Sequence, residues 1–342
     1  MTVMVFSPNW LGDAVMALPA VADIRRHPPV GRLVVAARPG VAGLWKIVAG
    51  VDEVVVIPRA RGMARWRTLG ENAAALRLAE ADAAVLLPNS PQTALMARRA
   101  GIQERWGYRG NLRGWLLTRA VPRPRGQVHQ ADFYRRLTAA LGIANGEREP
   151  QLDVPTAIVD GARAMLAAAG WTPGTGLLGL APGAAYGGAK RWPPERFAAV
   201  AADLARSHGL VPVLLGAEAD RPAACAIEAE LGRIGDAGVA SGAMNLAGET
   251  DVPQLAGVLA LCAAFVSNDS GAMHLAAAVG APVVALFGPT DERVTAPVAR
   301  RARVLTADAW CRPCLLRECP LDHQCMNGID AGTVARAAGE CL

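Results

Sequence analysis

The chain has 342 residues, 52% hydrophobic and 19% charged, more than one ordinary core comfortably fills, so two domains are expected. That composition excludes a disordered chain, a collagen-like fibre and a small disulfide scaffold. The net charge of +5 conceals a split: residues 1–150 carry 21 basic against 11 acidic side chains (+10), and residues 151–342 carry 14 against 19 (−5). A first half so basic should meet something anionic.

Short β-branched runs alternate with Ala/Leu/Arg-rich stretches, the pattern of repeated βα units and parallel sheets. In the first half, strands are expected at 3–6, 33–36, 54–57 and 83–87, and helices at 12–26, 65–79, 91–100 and 130–141. The polar stretch 145–156 reads as a linker, which sets the domains at 1–155 and 156–342. The pattern then restarts, with a helix at 159–169 and strands at 177–180, 211–215, 264–267 and 283–287. Helices at 194–207, 221–231, 252–261 and 271–279 lie between and after those strands. The longest apolar stretch, 255–266, is too short to cross a membrane, and 271–288 is interrupted by His274 and Pro282, so no transmembrane segment is expected. The opening apolar run has no basic leader and meets Asp13, so no secretory signal is expected either. The expectation is a soluble intracellular α/β protein, two Rossmann-like domains facing each other across a cleft.

Chemistry in such folds sits in the strand-to-helix turns, which all lie at the carboxyl edge of a parallel sheet. The turn Asn268-Asp269-Ser270-Gly271 reads as a phosphate site, with a cap at Asp269 or Ser270, close approach at Gly271 and His274 one turn in. An ordinary N-cap followed by a buried histidine would read the same. The loop 182–193 is glycine-rich and carries Lys190 just before a Pro-initiated helix. Only Lys46 and Lys190 are lysines among 35 basic residues, which singles that position out. Asp220, at another such turn, suits ribose hydroxyls or a helix cap. Asp13 stands at a helix start beside Trp10 and Leu11. The helix dipole there favours the carboxylate and the apolar neighbours favour the acid, so the residues alone leave its protonation open. Cys311, Cys314, Cys319 and Cys325 form a C-x2-C-x4-C-x5-C run that can close around zinc or an iron–sulfur cluster, though the spacing matches no common finger and a tail of reduced thiols is the alternative. No G-x-G-x-x-G opens a helix after the first strand, which argues against an oxidoreductase.

Six segments, taken in order and spacing, go further. They are Asn9-Trp10-Leu11-Gly12-Asp13, Leu87-Pro88-Asn89-Ser90, Gly107-Tyr108-Arg109-Gly110, Pro182-Gly183 through Ala189-Lys190-Arg191-Trp192-Pro193, Asn245-Leu246-Ala247-Gly248-Glu249-Thr250, and Asn268-Asp269-Ser270-Gly271 through Met273-His274. With them the chain resembles, over nearly its whole length, the ADP-heptose:lipopolysaccharide heptosyltransferases, inverting glycosyltransferases of the GT-B fold, and most closely their heptosyltransferase II branch. The resemblance implies Asp13 as the general base toward the acceptor hydroxyl and Lys190 as the cation that steadies the departing sugar diphosphate. It places Asp269, Ser270, Gly271 and His274 at the diphosphate and heptose of the donor, Asp220 at the ribose and Thr250 near the adenine. The implied acceptor is anionic heptosyl-Kdo-lipid A at the cytoplasmic face of the inner membrane, with Arg59, Arg61, Arg65, Arg109 and Arg113 as candidates to meet it. No nucleic-acid partner and no cofactor are implied, and zinc at the four cysteines would be structural. Ala184-Ala185 stands where relatives carry hydroxyl or acidic side chains, so contacts there are expected from the backbone or Tyr186. The cysteine-rich segment is missing from some relatives, so the shared chemistry does not need it. A related core sugar transferase, a nucleotide-sugar epimerase of like architecture and a non-catalytic nucleotide-sugar binder are the rival readings.

Overall fold

The four apolar residues 3–6 are buried in the first strand, Thr2–Phe6 (β1), as a strand covered by helices on both faces requires. In the computed structural model β1 lies between β2 (Arg32–Ala37) and β4 (Ala83–Leu86). With β3 (Glu53–Val56), β5 (Glu104–Tyr108) and β6 (Arg119–Val121) they form one parallel sheet in the order β3-β2-β1-β4-β5-β6. A second parallel sheet repeats this order in β7 (Leu177–Ala181), β8 (Val211–Leu214), β9 (Met244–Asn245), β10 (Cys262–Asn268), β11 (Val283–Phe287) and β12 (Ala302–Thr306), arranged β12-β11-β10-β7-β8-β9. The expected α/β class and two Rossmann-like parallel sheets are thus present. The structure describes residues 1–342 except 61, 63 and 235–241, and leaves out the side chain of Arg65.

Contacts divide the chain into Met1–Gln151 and Leu152–Leu342. Leu152 is buried and its N–H donates to the Ala278 carbonyl at 2.8 Å, which ties the polar stretch to the second unit from that residue on. Each unit has its own core. Met4, Phe6, Val34, Leu86 and Met96 belong to the first, and Leu178, Leu180, Phe197, Val266 and Leu286 to the second. Burying side chains of this size stabilises by about 1.5–3 kcal/mol each.

Several elements differ from expectation. The helix expected at 12–26 is two helices, Leu11–Met16 and Leu18–Arg26, because Pro19 has no N–H to donate and its ring crowds the carbonyl four residues back. β5, β6, β9 and β12 carry no continuous apolar run. They are short or partly exposed strands toward the sheet edges, where one side needs no apolar cover. The helices Pro39–Trp45 and Ala331–Gly339 are also additional to the reading. Among the described residues no helix is long and apolar enough to cross a membrane.

Candidate functional site

In each sheet the strand order reverses next to one pair of central strands, β1/β4 in the first and β7/β10 in the second, and ligands of such folds bind outside the carboxyl ends at that point. In the second unit the two turns at this point are the 182–193 loop after β7 and Asn268-Asp269-Ser270 at the end of β10. Three consecutive residues there do three jobs. Asn268 closes the base of the loop, donating to the Pro182 carbonyl at 2.8 Å and accepting from the Trp192 N–H at 3.2 Å. Asp269 accepts from Lys190 Nζ at 2.5 Å and from the Thr290 hydroxyl at 2.7 Å. Ser270 caps the Gly271–Ala278 helix by accepting from the Met273 N–H.

Lys190 and Asp269 are both buried, and the lysine ammonium also lies 4.9 Å from the centre of the Tyr186 ring. A desolvated ammonium at the N-terminus of a helix is an arrangement for an anion: the cation and the helix dipole both favour negative charge. Gly271 opens that helix, and His274 is buried within it one turn on.

Asp220 and Thr250 lie further along the same carboxyl edge, after β8 and β9. Their turns are joined by the Gly248 N–H, which donates to the Gly216 carbonyl at 2.9 Å, and by Arg221, which reaches Glu218 and Glu249. The Asp220 carboxylate accepts the Ala217 N–H at 3.0 Å and lies against Gly183, where any Cβ would collide with it. All the donor candidates of the second unit therefore occupy consecutive turns of one sheet edge.

In the first unit Asp13 lies in the first turn of Leu11–Met16, half-buried, after the exposed Trp10. Burial, and then the Asp13 charge, hold the Tyr134 phenol well above its ordinary range, so the carboxylate and the buried phenol share one corner of this unit. Arg59 and Arg109 are exposed. Arg61 lies outside the described residues, as does the Arg65 side chain.

Arg113 corrects the expectation of an acceptor contact. It is wholly buried, and its guanidinium donates to the Tyr108 carbonyl at 3.1 Å, the Pro88 carbonyl and Asn89 Oδ1 at 3.1 Å. Burial, helped by Arg123, lowers its pKa to about 10. The segments around Pro88 and Tyr108 are thus bound together by one arginine, whose charge serves the fold. Arg113→Leu is expected to destabilise by on the order of 3 kcal/mol, because three acceptors lose a charged donor. Denaturant titration checks this, and an unchanged midpoint would refute it.

The four clustered cysteines are free thiols. Cys325 is buried, and burial together with neighbouring Cys311, Cys314 and Cys319 pushes its thiol up. Among the described residues no set of three or more His, Cys, Asp or Glu side chains is arranged to hold a metal ion. Cys262 is buried, and burial pushes its thiol up to about 12.

Sequence reasoning put Asn268 in the phosphate turn but not as the closure of the facing loop, and it did not name Thr290 as a site residue; the partner of a short polar side chain depends on the opposing turn. The Tyr186 hydroxyl donates to the Leu315 carbonyl at 2.8 Å.

The family profile described as glycosyltransferase family 9 (heptosyltransferase) matches residues 70–324. The chain is 32% identical over 319 residues to lipopolysaccharide heptosyltransferase 2 of Salmonella typhimurium, covering 89% of this chain and 88% of that one. It superposes with a TM-score of 0.84 on the structure of E. coli ADP-heptose LPS heptosyltransferase II, at 29% identity over 100% of this chain and 98% of that one. A glycosyltransferase family 9 structure from Veillonella parvula shares the fold, with a TM-score of 0.83 at 22% identity over 99% and 96% of the two chains.

Proposed function

Since the chain belongs to glycosyltransferase family 9, the heptosyltransferases, we propose that it moves heptose from ADP-heptose to heptosyl-Kdo-lipid A of the lipopolysaccharide inner core, as a heptosyltransferase II. The observation that carries this reading is the buried Lys190–Asp269 pair at the start of the Gly271–Ala278 helix, on the edge that also bears Asp220 and Thr250. A diphosphate beside Lys190 and the helix N-terminus, with ribose at Asp220 and adenine near Thr250, uses every one of these turns.

The reaction is a single in-line displacement at the anomeric carbon. Asp13 removes the proton of the attacking acceptor hydroxyl, while Lys190 and the helix dipole stabilise charge gathering on the leaving ADP. Asp269 and Thr290 keep the lysine in place, and Ser270, Gly271 and His274 complete the diphosphate and heptose site.

The acceptor is a lipid, and the first unit has an apt surface for it. Trp66 and Trp115 are 57% and 70% exposed, and the guanidinium groups of the adjacent Arg99 and Arg98 lie 5.9 and 5.5 Å from their ring centres. Exposed tryptophans backed by arginines suit an anionic bilayer interface, which supports a peripheral enzyme at the cytoplasmic face of the inner membrane. Arg59 and Arg109 remain the acceptor candidates with exposed side chains.

The decisive assay incubates purified protein with ADP-heptose and heptosyl-Kdo-lipid A and weighs the lipid. One added heptose with release of ADP supports the reading, and ADP release without lipid gain overturns it. Transfer is further expected to persist in excess chelator, since Lys190 and the helix end serve the diphosphate. Loss of turnover with the fold intact would put a metal in the active site, and loss of the fold, followed by circular dichroism, would mean a structural metal at Cys311–Cys325.

A further inference from the structure

The cysteine-rich segment, which the shared chemistry does not call for, touches the Lys190 loop at five points. The Tyr186 hydroxyl donates to the Leu315 carbonyl at 2.8 Å, the Gly188 N–H to Glu318 Oε1 at 3.1 Å, and the Ala189 N–H to the Arg317 carbonyl at 2.9 Å. The Arg317 guanidinium lies 5.2 Å from the centre of the Tyr186 ring. Gly187 packs so closely on the Arg317 carbonyl that any Cβ would collide with it. The segment is itself anchored to the turn after β11: the Leu315 N–H donates to the Pro289 carbonyl at 2.8 Å, and Arg312 donates to the Gly288 carbonyl at 2.7 Å. That turn also carries Thr290, the second partner of Asp269.

We propose that residues 315–318 are a clamp that positions the Lys190 loop for catalysis, with Glu318 as its positioning side chain and Tyr186 as the loop side chain it grips. The loop 182–193 is closed at its base by Asn268, while its tip, where residues 186–189 lead into Lys190, has the single 3-10 turn Gly188–Lys190 as its own structure. The clamp fills that role. Glu318 and the Arg317 carbonyl take up consecutive N–H groups at 188 and 189, and Tyr186 is held by its hydroxyl and one cation while its ring neighbours the lysine. A lysine has four rotatable bonds, so its value to a developing charge depends on how firmly its backbone is placed. The clamp rests on the role of Lys190 in heptose transfer.

Two measurements test it, one independent of turnover. Hydrogen exchange of the 182–193 segment should show protected amides at Gly188 and Ala189, with protection at Gly188 lost in Glu318→Ala and kept in Glu318→Gln, whose amide oxygen still accepts. Rapid exchange at both amides of the unmodified protein, or identical exchange in the alanine variant, would overturn the clamp whether or not the protein transfers heptose. In kinetics, Glu318→Ala should lower kcat about tenfold, the scale of one lost hydrogen bond to a charged group, with melting temperature and acceptor KM unchanged. Tyr186→Phe should lower kcat less, because it keeps the ring. Glu318→Gln should recover most of the loss. Equal impairment of the alanine and glutamine variants, or a loss that only follows melting temperature, also overturns the clamp. A protein with protected amides and no heptose transfer keeps the clamp and discards the function.

Discussion

Asp13→Ala should lower kcat for heptose transfer by about 10²–10⁴-fold, the usual worth of a general base, while ADP binding and the melting temperature stay near their original values. The expectation of an intact fold comes from placement. Asp13 is half-buried in a six-residue helix whose packing is carried by Gly12, Ala14, Val15 and Met16, so shortening it removes no apolar core atoms. The residues proposed to hold the donor all lie in the second unit, which is why ADP binding should be spared. Asp13→Asn separates proton acceptance from shape. The amide has nearly the size and polarity of the carboxylate but cannot take a proton, so it should be as slow as alanine. Near-normal kcat in either variant removes Asp13 from the mechanism. An asparagine variant much faster than alanine would make the residue a hydrogen-bonding contact only.

Lys190→Ala should lower kcat by about 10²–10³-fold and weaken donor binding less, since a preorganised charge counts most where negative charge develops. The structure adds a second effect. Without the lysine, the buried Asp269 carboxylate keeps Thr290 as its side-chain partner among the described residues, and breaking such a pair on one side costs about 3–5 kcal/mol. The alanine variant should therefore be both slow and less stable. Adding Asp269→Asn removes the unpaired charge, and the double variant should regain stability without regaining turnover. Lys190→Arg keeps the charge but replaces a point charge on a flexible stem with a planar fork, and should recover part of kcat. Steady-state kinetics with ADP-heptose and thermal melts of the four proteins decide the matter. If the alanine variant matches the original in rate, the lysine is structural. If the double variant regains rate with stability, Lys190 acts only by neutralising Asp269.

How much of the molecule is legible in its sequence depends on what each feature rests on. The central strands β1, β2, β4, β7, β10 and β11 are covered on both faces, and burial of that kind leaves an unbroken apolar run that can be read directly. The alternation of such runs with helical stretches makes the sheets parallel, and parallel sheets put every strand-to-helix turn on one edge. Local pattern alone therefore places Asp13, Lys190, Asp220 and Asp269 on such edges, whereas Thr250 follows the two-residue strand β9, which leaves no apolar run to read. The helix break at Pro19 is equally local and could have been taken from the proline.

What only the tertiary structure decided is the pairing across turns distant in sequence. Lys190 and Asp269 are 79 residues apart, Tyr186 and Leu315 are 129 apart, and no spacing rule brings such residues together. Arg113 shows the same limit from the other side. In the sequence it is one more arginine in a basic half, while in the fold three acceptors from the segments around Pro88 and Tyr108 converge on it and take its charge out of solvent. A charged side chain's role is set by whether buried acceptors surround it, and that depends on how separate segments pack. Residue type and local pattern determined the sheets, their edges and the chemistry offered there; long-range packing determined which charges face a ligand and which hold the protein together.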